Sequence, residues 1–141
     1  MKLNEFAYKK SVGVLSTCGE DHKPSAASVF FNIEKDKIYF LTNSDSDKAK
    51  DISKNPNICL NITDDTYYKQ LQIYGTAKII TSIDGHYEKI QQTIKEYSEK
   101  THEPAPYTEI FTIDHPFVEV EITPLNGKYF ESGKAITEET Y

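Results

Sequence analysis

The chain has 141 residues, a net charge of −6 and sixteen basic residues that are all lysine. Its length fits one domain over residues 1–141, and its acidic balance argues against general nucleic-acid binding, which needs a basic face to displace counterions. Without arginine, no bidentate guanidinium clamp on phosphate or carboxylate is available anywhere.

In chain order, Leu3, Phe6 and Ala7 predict a short amphipathic helix ending near Ser11. The N-terminal residues lack the apolar core of a leader peptide, and no later stretch is apolar enough to span a membrane as a helix, so a cytoplasmic protein without membrane partners is expected. Residues 12–18 read as a buried strand and residues 19–22 as a turn. His22 in that turn is expected to face solvent. Over residues 25–33, Ala27, Val29, Phe31 and Ile33 alternate with Ala26, Ser28, Phe30 and Asn32. Apolar groups on both faces suit a barrel strand or a subunit interface. Residues 34–37 turn the chain back into another strand.

The most informative stretch follows, at residues 38–56. An alternating strand runs into a loop carrying Thr42, Asn43, Ser44 and Ser46, and then into a short helix with Lys48 in its first turn. Free N–H groups, the helix dipole and a nearby ammonium make such a corner a natural seat for a phosphate. The plainer alternative is that Asp45 and Ser46 are ordinary helix caps. Asn55 and Pro56 end the helix.

Ile58, Leu60 and Ile62 then mark a half-buried strand. After a loop at residues 64–66 comes a long strand with Leu71, Ile73, Gly75, Ala77 and Ile79 facing inward, Gly75 signalling a bulge or a close backbone approach. Asp84 caps a helix whose Tyr87, Ile90, Ile94 and Tyr97 share one face, and residues 103–106 end it. Val118, Val120 and Ile122 predict a last long strand, on which Glu119 and Glu121 read as a solvated face. A short strand over residues 128–130 follows the Asn126-Gly127 turn signal. Six or seven mostly antiparallel strands with a few helices at corners make a mainly β chain, closed or partly closed into a barrel.

Little else points to chemistry. Cys18 and Cys59 lie far apart outside any C-x-x-C pair, and two buried reduced thiols are expected ahead of a disulfide. His86, His102 and His115 lack metal-ligand spacing, so no metal site is predicted. Dinucleotide-binding glycine motifs, the P-loop and G-x-S-x-G are absent. Tyr67, Tyr68, Tyr74, Tyr107, Tyr129 and Phe130 are candidate pocket walls or interface packing.

The segments V-G-V-L-S-T, G-E-D-H-K-P-S-A-A-S-V-F-F, I-Y-F-L-T-N-S-D-S-D-K-A-K-D-I, N-P-N-I-C-L-N-I and K-Q-L-Q-I-Y-G-T-A, in that order, resemble the pyridoxamine 5'-phosphate oxidase-like family of FMN-binding split barrels. The resemblance implies a split β-barrel and a homodimer with FMN in a groove between the subunits. By position it places Ala27, Ser28, Val29 and Phe30 along the flavin ring and Leu41, Thr42 and Asn43 toward the ribityl chain. Ser46 and Lys48 would bind the phosphate, and Gln70 would lie near the ring. It further implies an oxidoreductase that passes electrons from NAD(P)H to a small molecule. True pyridoxamine-phosphate oxidases carry arginine where this chain has Ala27 and Asp47, and their arginine-rich C-terminal region is missing, so vitamin B6 oxidation is not expected. Two alternatives stay open: a non-enzymatic flavin-binding or stress-related protein, and a haem-binding barrel whose flavin site has decayed.

Overall fold

The computed structural model describes residues 3, 5–80, 95, 99 and 117–141. In chain order these form α1 (Glu5–Tyr8), β1 (Val12–Cys18), β2 (Pro24–Glu34), β3 (Lys37–Asn43), α2 (Asp47–Lys54), β4 (Asn57–Thr63), β5 (Lys69–Ile80), β6 (Phe117–Glu131) and β7 (Lys134–Thr140). The strands pair antiparallel in the order β3-β2-β1-β4-β5-β6-β7. A further ladder from β3 to β6 closes the first six into a barrel, and β7 lies outside the ring, against β6. The expected mainly β barrel is what the chain forms.

Period-two alternation explains the barrel's filling, because every second side chain of a strand faces the same side. Leu15, Phe40, Leu60, Ile62, Leu71, Ile73, Val120 and Ile122 are all fully enclosed and belong to one core cluster. Phe6 and Ala7 of α1 join that cluster at one end. The Lys35 and Asp36 turn between β2 and β3 uses positive φ at both residues, the twist a tight hairpin requires.

The C-terminal part departs from the expectation. Residues 117–131 form one uninterrupted strand, where the sequence suggested a strand, a turn and a short strand. Pro124 is tolerated because it sits opposite Gly75, where the β5–β6 register shifts. Gly75 has no room for a Cβ, which would collide with the Thr123 carbonyl. Gly127, read as part of a turn, instead gives its side-chain space to the Tyr141 ring. β7 was not foreseen, since its seven mostly exposed residues carry no burial pattern. The helix expected from Asp84, with its end at residues 103–106, lies outside the described residues, as do His86, His102, Tyr107 and His115.

Gly75→Ala is therefore expected to destabilise the protein by about 1–3 kcal/mol, because the added methyl must push two paired strands apart. A urea denaturation midpoint unchanged from wild type would show that the bulge can widen freely.

Glu119 and Glu121 do not form a solvated face. Glu119 is fully buried. The Glu121 carboxylate, also largely covered, accepts from the Tyr39 hydroxyl at 3.0 Å and pairs with Lys37 at 3.3 Å and Lys78 at 3.5 Å. It thus ties β3 and β5 across β6. Burial alone would raise its pKa, but the Tyr39 and Lys37 hydrogen bonds and the two ammonium groups together hold it below the ordinary range. The same contact, with burial foremost, pushes Tyr39 up to about 12. A carboxylate with a depressed folded pKa stabilises the fold above its unfolded pKa, roughly 4.3, and that stability is lost as pH falls through the folded value. Glu121→Gln is expected to cost about 1–2 kcal/mol near neutrality and nothing in strong acid. Urea unfolding at both conditions checks this, and an equal cost at both would mean that packing rather than charge is lost.

Candidate functional site

The barrel is split along β2. Residues 24–30 pair with β1, whereas residues 31–34 pair with β3. Before Phe31 no described strand pairs with β2 on its β3 side, so β2 and the end of β3 diverge there. The Phe31 N–H donates to the Ser11 carbonyl, and the alternation of an antiparallel ladder then turns the main-chain groups of Ser28 away from β1, toward the open edge. Ala27 is half-buried there, Ser28 is exposed, and the Val29 and Phe30 side chains are buried.

α2 follows directly from the end of β3. Ala49 and Ile52 are its buried residues, and it packs against β1, β2, β3 and β5. Its tilt is fixed by Asp51, whose carboxylate accepts from the buried Thr17 hydroxyl at 2.8 Å. Nothing in the sequence signalled that contact, because the two residues lie on elements with no shared pattern.

The loop from β3 into α2 is ordered by hydroxyls. Ser46 is the N-cap; its Oγ accepts from the Ala49 N–H at 3.2 Å and from the Thr42 hydroxyl at 2.9 Å. With both acceptances made, the Ser46 proton remains to be donated outward. The first main-chain bond of the helix is Lys50 N–H to the Ser46 carbonyl. The Asp47 and Lys48 N–H groups therefore open the helix without i−4 partners. Lys48 is half-buried, and its pKa is lowered by burial, with Asp47 acting the other way. No carboxylate lies within ion-pair distance of it among the described residues. Asp47 itself is exposed. Leu41 and Thr42 are buried, and the side-chain oxygen of Asn43 is buried without a hydrogen-bond partner. A buried acceptor left unmatched costs roughly 1–3 kcal/mol unless something donates to it.

Leu41, Thr42, Asn43, Ser46 and Lys48 lie in sequence where β3 runs into α2, and Ala27, Ser28, Val29 and Phe30 lie along the stretch of β2 that β3 does not pair with. The structure does not bring Gln70 to them. Gln70 opens β5, opposite Thr63 and Phe130, and is half-buried on the barrel's outer face. Two strands, β1 and β4, separate it from β2. On the other way round it meets Phe130, at the opposite end of β6 from residues 117–122, which hold β3.

The other described candidates lie elsewhere on the barrel. His22 is exposed, as expected, with φ of 59°. Cys18 and Cys59 are free thiols but only half-buried, on the outer barrel face rather than in the core. Tyr67, Tyr68 and Tyr74 are exposed, while Tyr129 packs on Phe6 at 5.8 Å. No group of metal-ligating side chains occurs among the described residues, and none of their helices is long and apolar enough to cross a membrane.

A family model described as pyridoxamine 5'-phosphate oxidase matches residues 2–130. The pyridoxine/pyridoxamine 5'-phosphate oxidase of Ehrlichia ruminantium (strain Welgevonden) is 34% identical over 83 residues, 58% of this chain and 43% of that protein. The match therefore spans less than half of that relative's length. Among solved structures, a protein of Clostridium acetobutylicum related to general stress protein 26 superposes with a TM-score of 0.68 at 20% identity, covering 97% of this chain and 90% of its own. A pyridoxamine 5'-phosphate oxidase-related, FMN binding protein from Nostoc punctiforme gives 0.59 at 17% identity, covering 93% and 86%. At these identities the likeness to the solved structures is one of fold.

Proposed function

Because the chain belongs to the pyridoxamine 5'-phosphate oxidase family, we propose that it binds FMN where β2 parts from β3. We further propose that it serves as an oxidoreductase taking electrons from NAD(P)H to a small molecule. The observation that carries the reading is Lys48, half-buried with no carboxylate partner among the described residues, beside the Ser46 hydroxyl, which accepts twice and keeps its proton to donate. A cation buried without compensation is costly, and an anionic ligand removes that cost.

Each residue then has a task. Lys48, the Ser46 hydroxyl and the first N–H groups of α2 hold the phosphate. The unmatched Asn43 oxygen accepts from a hydroxyl of the ribityl chain. The main chain at Ser28 meets the polar edge of the ring, and the half-buried Ala27 leaves room beside it. When bound, the flavin supplies the electron transfer, and the protein supplies position and charge. Buried Val29 and Phe30 keep water from that strand. The absence of arginine argues against a vitamin B6 phosphate as substrate, since a second phosphate would find no guanidinium.

Gln70 can join this site only from another copy of the chain, and the outer face that carries it suits a homodimer. Val12, Val14 and Ser16 of β1, Cys59 and Asn61 of β4, and Gln72 and Tyr74 of β5 make an uncharged surface on a chain of net charge −6. Val14 and Tyr74 are exposed on it, and the side-chain oxygen of Asn61 is buried there without a partner. A monomer by light scattering at micromolar concentration would remove the shared-site arrangement.

The test is an absorbance and fluorescence titration of the purified protein with FMN, followed by anaerobic addition of NADH or NADPH. Saturable binding with bleaching of the flavin bands is expected. Binding without bleaching would favour a flavin-binding protein without turnover. Failure to bind FMN, with haem bound instead, would replace the flavin reading by the haem-binding alternative.

A further inference from the structure

Among the described residues, the side-chain charges of α2 and the turn leading into it cancel, and we infer that the corner assigned to the phosphate selects a flavin phosphate bearing one negative charge, as in a phosphodiester, over the doubly charged monoester. The inference rests on the flavin reading above and goes beyond it to the charge state of the ligand.

On α2 and the turn leading into it, Lys48, Lys50 and Lys54 are matched by Asp45, Asp47 and Asp51. Lys48 alone of the three lysines is half-buried; Lys50 and Lys54 are exposed. Asp47 is the next residue in the first helical turn, so its carboxylate stands within the field of any anion held by Lys48. Asp51 is turned into its contact with Thr17.

The lysines of the described elements packed against α2 are bound elsewhere or distant from the corner. β1 has no lysine or carboxylate, only the Cys18 thiol. β2 contributes Glu34, and β3 contributes Lys37 and Tyr39; Glu34 pairs in register with Lys37, which is bound to Glu121. From Tyr39 to Asn43 is about 13 Å of strand, beyond the screening length at ordinary salt. On β5, Lys78 is also bound to Glu121, and Lys69 stands opposite Glu131 at the strand's other end. Exposed Glu20, Asp21, His22 and Lys23 occupy the β1–β2 turn.

Among the described residues, what faces the ligand is therefore one ammonium, one adjacent carboxylate, neutral hydroxyl and N–H donors, and a helix end worth about half a charge, with the buried Glu119 of β6 standing opposite Leu41. The ammonium, the adjacent carboxylate and the helix end sum to roughly half a positive charge, so they offset part of a single negative charge and leave a second one wholly uncompensated beside Asp47. The corner is more than a helix end, because the half-buried Lys48 and the unmatched Asn43 oxygen both point to a ligand. Ser44 and Asp45 are exposed on its outer side, which leaves space for an ester substituent.

The experiment compares FMN, its monomethyl phosphate ester and riboflavin in fluorescence titrations of the full chain, at about pH 8 and about pH 5.5, on either side of a phosphate second pKa near 6. The ester sees the same Lys48 at both values, so any change in that lysine's protonation cancels in the comparison. At the higher pH, where only about one FMN molecule in a hundred is singly charged, the ester is expected to bind at least about tenfold more tightly than FMN. At the lower pH the two should approach parity. Asp47→Asn should narrow the gap at the higher pH and leave riboflavin binding as it was. FMN equalling or exceeding the ester at the higher pH, with riboflavin weaker than both, overturns the charge selection and leaves the flavin site standing. Equal binding of all three overturns the phosphate contact itself, and binding of none overturns the flavin reading.

Discussion

Lys48→Ala is expected to weaken FMN binding by about 1–3 kcal/mol, roughly five- to 150-fold, the range for losing a charge-assisted hydrogen bond. The loss should be specific to the phosphate. Riboflavin, which has the same ring and ribityl chain, should bind wild type and variant alike. The fold should tolerate the change, since Lys48 has no ion pair within the described chain and its burial opposes its own charge. Alanine is also the best helix former, so α2 is not weakened. Parallel fluorescence titrations with the two flavins check this. Equal losses for both would point to a disturbed corner, and no loss for FMN would remove Lys48 from the site.

Phe40→Ala should cause the largest loss of stability, about 3–5 kcal/mol, the range for deleting a buried aromatic ring. Phe40 is fully enclosed and stands opposite both Phe31 of β2 and Val120 of β6. It thus occupies the last rung before β2 and β3 separate, where a cavity cannot be filled by drawing the strands together. Urea unfolding gives the stability, and FMN titration of the folded fraction gives the second readout. Leu41, Thr42 and Asn43 follow directly, so flavin affinity should fall along with stability. A loss below about 1 kcal/mol would mean that the opening collapses to fill the space.

How much of this could be read beforehand depended on local signals. The Ser46 cap, the Gly75 bulge and the inward stripes of β4 and β5 follow from residue type and period alone, and the structure has them as expected. β6 was misjudged because Pro124 and Asn126-Gly127 are strong breakers in isolation, and only the bulge opposite Pro124 and the Tyr141 ring over Gly127 make them acceptable within a strand. The Glu119 and Glu121 positions failed for a related reason. At Glu121, alternating charge reads as exposure unless the covering lysines and Tyr39, which arrive from β3 and β5, are known. At the site, residues 41–48 are consecutive and so could be grouped from sequence. The distance of Gln70 from them is set by strand order, which no local pattern contains.

Ring closure leaves β7 as a rim whose outer side no described strand covers. Such a rim is a template on which any extended chain can add by main-chain hydrogen bonding. Lys134, Glu138 and Glu139 are spaced along it around the exposed Ile136, and their charges repel a like chain laid alongside. Replacing both glutamates with alanine would leave Lys134 as the last guard of that rim, so aggregation of such a variant should begin at its last strand.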